Sequence, residues 1–230
     1  MSLFYDTETA YPNEDSASGE QVLQSAAALG PYLSLDVLST MHNMREQISE
    51  VFDRRGDLVV GATGPRMFDD HAGIAFPSRT FQWTAFDRTG CNAIRTFLDA
   101  RKGRLVPFWV PTCAWDLCLA GDIASSMSTL LLRRSGYVDY FWPQVSRRYI
   151  VIWAPGGGLL RKITSASAVD SATEQIDLDS VTGMGLSART PISYLTLCRL
   201  AEDLTKINWF STWGCETSFK FVELPLEVPA

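Results

Sequence analysis

Eight residues, Arg79–Phe86 (RTFQWTAF), constrain this chain more than any others. Phe81, Trp83 and Ala85 fall on one side of an extended backbone, Gln82 and Thr84 on the other. A side-chain period of two marks a strand with one buried face. The period then changes. Asp87 or Thr89 can cap a helix by accepting its orphan N–H groups. Ile94, Phe97, Leu98 and Arg101 recur at helical spacing, and Gly103 supplies a left-handed exit. Leu105–Val110 runs extended again, interrupted by Pro107, and reads as an edge strand or the start of one.

Strand signals dominate the remainder of the chain. Leu130–Leu132, Tyr137–Trp142, Tyr149–Trp153, Gln175–Leu178, Ile192–Leu200, Asp203–Phe210 and Ser218–Leu224 are short and rich in aromatic, β-branched or other apolar residues. Pro155–Gly158 reads as the turn of a hairpin joining Ile150–Trp153 to Leu159–Ile163. The tail LPLEVPA, with two prolines, ends any ladder. Residues 33–61 admit two readings. One is a helix over Met41–Phe52 with Met44, Ile48, Val51 and Phe52 on one side. The other is a set of strands turning at Arg55-Gly56-Asp57, with Leu58–Val60 as a short strand. Gly61–Pro77 reads as loop. About nine strands against one or two helices predict an α+β, mostly β fold. A β-sandwich or barrel with one flanking helix at about residues 90–102 fits this pattern. Residues 1–30 form a distinct acidic N-terminal arm, and residues 31–230 a single β-rich domain with insertions.

Little in the sequence points to catalysis. Only His42 and His71 are available as imidazole bases. Asp69-Asp70-His71 is the best local polar cluster, but neighbours on a strand point to opposite faces. Gly156-Gly157-Gly158 lacks the lysine and hydroxyl residue of a phosphate-binding loop. The five cysteines, Cys91, Cys113, Cys118, Cys198 and Cys215, are widely spaced with no CxxC, so reduced thiols are expected rather than disulfides or zinc. No cofactor or metal is expected. A formal net charge of −6 disfavours a broad nucleic-acid footprint. The first residues show no signal-peptide pattern, and no stretch approaches the ~20 apolar residues of a membrane span, so the expectation is a chain soluble on synthesis.

The segment Phe97–Leu117 suggests an interface. Arg101, Lys102 and Arg104 gather at a helix C-terminus, where cations suit the macrodipole. Pro107 and Pro111 bracket Phe108 and Trp109, which project to opposite sides. Either both rings enter the core, or one is left for a neighbouring subunit.

The order of these features resembles the tail-tip proteins of long-tailed bacteriophages, particularly the distal tail protein and its baseplate neighbours. The matching residues are Arg79–Phe86, Phe97, Ala100–Arg104, Pro107–Pro111 and Asp116-Leu117, with Arg199–Asp203 and Phe221–Pro225 further on. The resemblance implies a tail-tube-like fold whose subunits join into a homo-oligomeric ring, hexamer or trimer, in the virion tail tip. Arg101, Lys102, Arg104, Phe108, Trp109 and Asp116 are then the candidate interface. The implied partners are other copies of the chain, tail-tube and baseplate hub proteins, and fibre proteins. Phage DNA would pass through the lumen without specific binding, helped by like-charge repulsion; no membrane is involved. The implied role is structural rather than enzymatic, in a protein made in the host cytoplasm. One alternative is a hub-associated, receptor- or fibre-binding module using Trp142, Trp153, Trp209 or Trp213. Another is a tail-associated hydrolase, which needs His42 or His71 beside a Cys, Ser or carboxylate.

Overall fold

The structure is a computed structural model that describes residues 29–38, 42–43, 48–54, 56–59, 67–70, 73–154 and 157–229. Most of the acidic arm, His71, and the turn residues Pro155 and Gly156 lie outside the described residues. So do Met41 and Met44 of the helical alternative and residues 61–66 of the expected loop.

The alternation at Phe81, Trp83 and Ala85 produces a strand with those three side chains buried. In chain order the elements are β1 (Ser49–Asp53), β2 (Gly56–Val59), β3 (Met67–Asp70), β4 (Phe76–Ala85), α1 (Arg88–Arg101), β5 (Phe108–Pro111), β6 (Thr129–Arg133), β7 (Tyr149–Ala154), β8 (Gly157–Ala168), β9 (Thr173–Leu178), β10 (Ile192–Leu200), β11 (Ile207–Trp209) and β12 (Cys215–Glu223). Among the described residues the fold is mostly β with one α-helix, as expected. Ten strands form one open antiparallel sheet along β1-β4-β12-β10-β7-β8-β9-β6, with β11 beside β12 and β5 beside β10; β2 and β3 pair separately.

Strand β10 organises the sheet. Of its nine residues only Arg199 is not buried. Ile192–Tyr194 pair with β7, Leu195–Cys198 with β5, and Cys198–Leu200 with β12. Its side chains alternate between faces. Ile192 and Tyr194 join a core with Leu130, Leu132, Ile150, Ile152, Ile163 and Ile176. Cys198 and Leu200 join another with Phe81, Trp83, Ile94, Phe108 and Phe221. On the opposite face Leu195 and Leu197 pack with Trp109, Tyr149, Val151 and Leu29. Its buried hydroxyls are satisfied: Ser193 Oγ donates to the Ala114 carbonyl at 2.6 Å, and Thr196 Oγ1 to that of Val110 at 3.1 Å.

Helix α1 starts where the cap predicts, with the Asp87 carboxylate accepting from the Gly90 N–H at 2.7 Å. Its exit is left-handed at two residues, Lys102 (φ 51°) and Gly103 (φ 65°). A side chain at position 103 would collide with the Asp203 carboxylate, so glycine is needed there twice over.

Four expectations need correction. Tyr137–Trp142 is not a strand: Gly136, at φ 79°, turns the chain into a single π-helical turn, Tyr137–Phe141. The 137/141/142 spacing puts all three rings against one core cluster, and the Trp142 N–H closes the turn on the Tyr137 carbonyl at 2.8 Å. Residues 61–77 are not all loop, because β3 pairs with β2 and β4 begins at Phe76. Pro77 is tolerated because its N side lies beyond the β12 ladder, which ends at Val222 opposite Ser78. Between Asp203 and Phe210 only Ile207–Trp209 is strand, since Asp203 is engaged by the Arg104 backbone and guanidinium. In the 41–52 segment the helical alternative fails from Ser49, where β1 pairs with β4 over five residues.

Segment Phe108–Pro111 is a strand but not an edge. One side pairs with β10; on the other, the Trp109 N–H donates to the Asp36 carbonyl and the Leu38 N–H to the Trp109 carbonyl. Phe108 and Trp109 do project to opposite faces, and both are fully buried. Phe108 meets Phe97 edge-on at 5.1 Å. Trp109 lies 4.9 Å from the Tyr149 ring and donates Nε1–H to the Tyr32 carbonyl at 3.0 Å. Trp109→Ala is therefore expected to lower the folding free energy by roughly 3–5 kcal/mol in chemical denaturation. A loss below about 1 kcal/mol would contradict this packing.

Candidate interaction surface

The structure withdraws most of the residues singled out for an interface. Arg101 is 2% exposed. Its guanidinium lies against both the Phe97 and Phe108 rings, 5.1 and 5.5 Å from their centroids. It donates to the Asp36 carboxylate and to the Pro107 carbonyl at 3.4 Å. Its role is to fasten the 32–38 segment across the helix end. Asp116 is partly buried and accepts from the Thr112 hydroxyl and from the Tyr194 N–H at 2.8 Å. Burial raises its carboxyl pKa above the usual range, against the pull of those two hydrogen bonds. Phe108 and Trp109 offer a neighbour no surface. Lys102 and Arg104 alone remain outside, and Arg104 is paired with Asp203 at 3.0 Å. The sequence could not show that residues 32–38 would cross over this segment.

An ion network that runs from the buried Arg147 and Glu223 through the partly buried Arg79 to the exposed Glu50, not anticipated from sequence, ties the sheet together. Arg147 pairs with Glu223 at 3.0 Å, Glu223 with Arg79 at 3.3 Å, and Arg79 with Glu50 at 2.8 Å. Burial opposes the charge on Arg79, but Glu223 and Glu50 outweigh it and hold its pKa above the ordinary value. The network spans β1, β4, β12 and the short 3-10 turn Val145–Arg147.

Four exposed aromatic residues, Phe86, Trp209, Phe210 and Trp213, gather where β4 runs into α1 and β11 turns into β12; Phe52, Trp115 and Tyr140 are exposed elsewhere. Phe86 and Phe210 meet edge-on at 6.0 Å. The Trp209 ring carries the guanidiniums of Arg88 and Arg95 at 5.1 and 5.9 Å. Exposure is 66% at Phe86, 55% at Phe210 and 64% at Trp213. The loop holding them is well fixed. Trp209 pairs with Cys215 across it, the Phe210 N–H donates to the Gly214 carbonyl, and Ser211 Oγ accepts from the Trp213 and Gly214 N–H groups at 3.2 and 2.8 Å. Any side chain at Gly214 would run into the Phe210 ring. Exposed aromatics beside arginines are typical of interface cores.

This patch unites two of the four tryptophans expected for a binding surface, Trp209 and Trp213. The other two turn inward. Trp153 donates to Ser193 Oγ at 2.9 Å, and Trp142 packs against the core with the Arg148 guanidinium 4.2 Å above it. Phe86 was missed because strand alternation alone does not place a ring at a strand end.

His42 lies in a small cavity of about 60 Å³ lined also by Ser49, Thr80, Gln82 and Ser218. It stacks on Phe81 at 4.0 Å, and burial lowers its pKa to about 4, so its imidazole is neutral. Among the described residues its Nε2 has no hydrogen-bond partner, and no hydrogen bond joins it to either serine. Also among them, no group of three or more His, Cys, Asp or Glu is placed to hold a metal, and no helix is long and apolar enough to cross a membrane. All five thiols are free. No protein-family model matches the chain, and no curated protein matches its sequence.

Burial pushes the thiols of Cys113, Cys198 and Cys215 up to about 12 and raises the hydroxyls of Tyr32, Tyr137 and Tyr194 further. Each group is neutral when folded and ionises more readily when unfolded. The stability they confer is complete below about pH 8.5 and lost as pH climbs towards about 12. His42 acts oppositely: its contribution is complete above about pH 6.5 and lost as pH falls towards about 4. Urea midpoints measured across pH should fall on both flanks, and His42→Gln should flatten the acid flank between about pH 6.5 and 4. An acid flank unchanged in His42→Gln would refute the assignment.

Proposed function

We propose that this chain is a structural subunit of a bacteriophage tail tip, a distal-tail or upper-baseplate ring protein linking the tail tube to the hub around the DNA channel. The supporting observation is the open sheet and its edge at β1. All five side chains of β1 are exposed, including Val51 (52%) and Phe52 (65%). One side of β1 pairs with β4; among the described residues nothing pairs with the other. An edge of this kind is completed by a strand from a neighbour, the way sheets join side by side. The ion network ties Glu50 of that edge through Arg79 to the buried Glu223 at the centre of the sheet.

The strand–helix–strand unit that carries the resemblance, β4, α1 and β5, is present with its expected cap and exit. A barrel-like closure is supported by two bridges: Leu117 meets Ile192 of β10, and Leu119 meets Leu132 of β6. Leu117 and Leu119 together thus touch β10 and β6, the two ends of the β10-β7-β8-β9-β6 path. The formal charge of −6 suits a wall past which DNA slides without adhering. The ring is a hexamer or trimer located in the virion, with tail-tube, hub and fibre proteins as its partners. The second reading, a hub-associated module that binds fibres or receptor, is favoured by the Phe86–Trp213 patch.

The pair Val51→Lys/Phe52→Lys tests the edge. Light scattering after size exclusion should show the wild-type chain as a trimer or hexamer and the variant as a monomer with unchanged circular dichroism. A wild-type chain that stays monomeric at every concentration, and never enters tails, would remove the ring assignment.

A further inference from the structure

We propose that the patch of Phe86, Trp209, Phe210 and Trp213, with Arg88 and Arg95, is the docking site for the acidic segment formed by residues 1–28 of this chain. Three observations converge on this occupant. The first is charge. Residues 1–28 carry Asp6, Glu8, Glu14, Asp15 and Glu20 and no lysine or arginine. Arg88 and Arg95 have no carboxylate partner among the described residues, and each lies over the Trp209 ring. Against an acidic chain overall, a patch with two unpaired guanidiniums is where an acidic segment gains most.

The second is shape and chemistry. The same segment supplies Phe4, Tyr5 and Tyr11, and the patch offers four exposed rings on a loop already locked by Ser211 and Gly214. Ring-on-ring contact strengthens binding beyond area burial, and a preformed loop loses little entropy on binding. The third is reach. Residue Leu29 is buried in the Trp109–Tyr149 cluster, so the segment leaves from a fixed point. The 28 residues can extend on the order of 90 Å, several times the ~17 Å radius of gyration expected for a chain this long. The site is within range on the same subunit and on an adjacent one.

Docking covers an aromatic patch that would otherwise invite non-specific association. In a ring, the same contact made to the adjacent copy clasps one subunit to the next. The inference stands apart from the tail-tip assignment, because a monomer can cover its own patch.

Hydrogen exchange on the full chain tests it. In the wild type, amides within residues 4–15 should exchange roughly tenfold or more below their intrinsic rates. In Arg88→Glu/Arg95→Glu they should return to near-intrinsic rates, while amides of β10 stay as protected as before. Adding Glu14→Lys/Asp15→Lys to that variant should restore protection. The proposal is overturned if residues 4–15 exchange at intrinsic rates in the wild type, or if their protection ignores the Arg88/Arg95 substitutions. It is equally overturned if rising protein concentration protects the 209–214 loop while residues 4–15 stay unprotected; a second folded copy then holds the patch.

Discussion

The double-sided burial of β10 is the constraint on which the rest of the structure depends. A strand covered on both faces needs side chains that can be buried, and ISYLTLCRL supplies six apolar residues with Ser193 and Thr196, whose hydroxyls are hydrogen-bonded. Each residue class has a separate destination. Ile192 and Tyr194 serve the β6–β9 core, Cys198 and Leu200 the core under α1, and Leu195 and Leu197 the layer built on Trp109 and Tyr149. Among the described residues no other strand contributes buried residues to all three. The edges of β10 are used in sequence as well, by β7, β5 and β12, so one strand carries the sheet from one half to the other.

Polar groups reinforce this junction and define its geometry. Glu223, at the end of β12, is 3% exposed and holds two arginines from different elements. Buried ion pairs add little net stability over apolar packing, yet losing one partner strands the other charge at a cost of roughly 3–5 kcal/mol. The network therefore acts as a register device that keeps β1 and β4 aligned with β12. Arg101 works the same way on the far side. Its guanidinium, packed against two rings and bound to Asp36, sets where the 32–38 segment lies over β5.

Local patterns were legible in the sequence where local physics decides. The β4 alternation, the Asp87 cap, the left-handed exit of α1 and the opposed rings of Phe108 and Trp109 all follow from spacing and backbone preference. What failed depended on distant partners. Tyr137–Trp142 has strand composition, but Gly136 and the core surface beneath it select a π turn. The basic residues and rings of Phe97–Leu117 look like interface composition, but Arg101, Phe108 and Trp109 are core under the crossing of residues 32–38, while Lys102 and Arg104 stay outside. The real exposed patch draws Phe86 and Arg88 from one stretch of the sequence and Trp209–Trp213 from another far along the chain. Only pairing of β4 with β12 brings these together, through Ala85 opposite Cys215.

Two surfaces thus face outward from a rigid centre: the β1 edge, held through Glu50 and Arg79, and the aromatic–arginine patch at the far end of β4. Both depend on the sheet moving as one body. Native-state hydrogen exchange in sub-denaturing urea measures that directly. If β10 couples the halves, amides of Phe219 and Phe221 on β12 and of Ile176 on β9 will open together, at the free energy of global unfolding. Opening of Ile176 at a free energy several kcal/mol below that of Phe221 would show two independent halves and contradict the account.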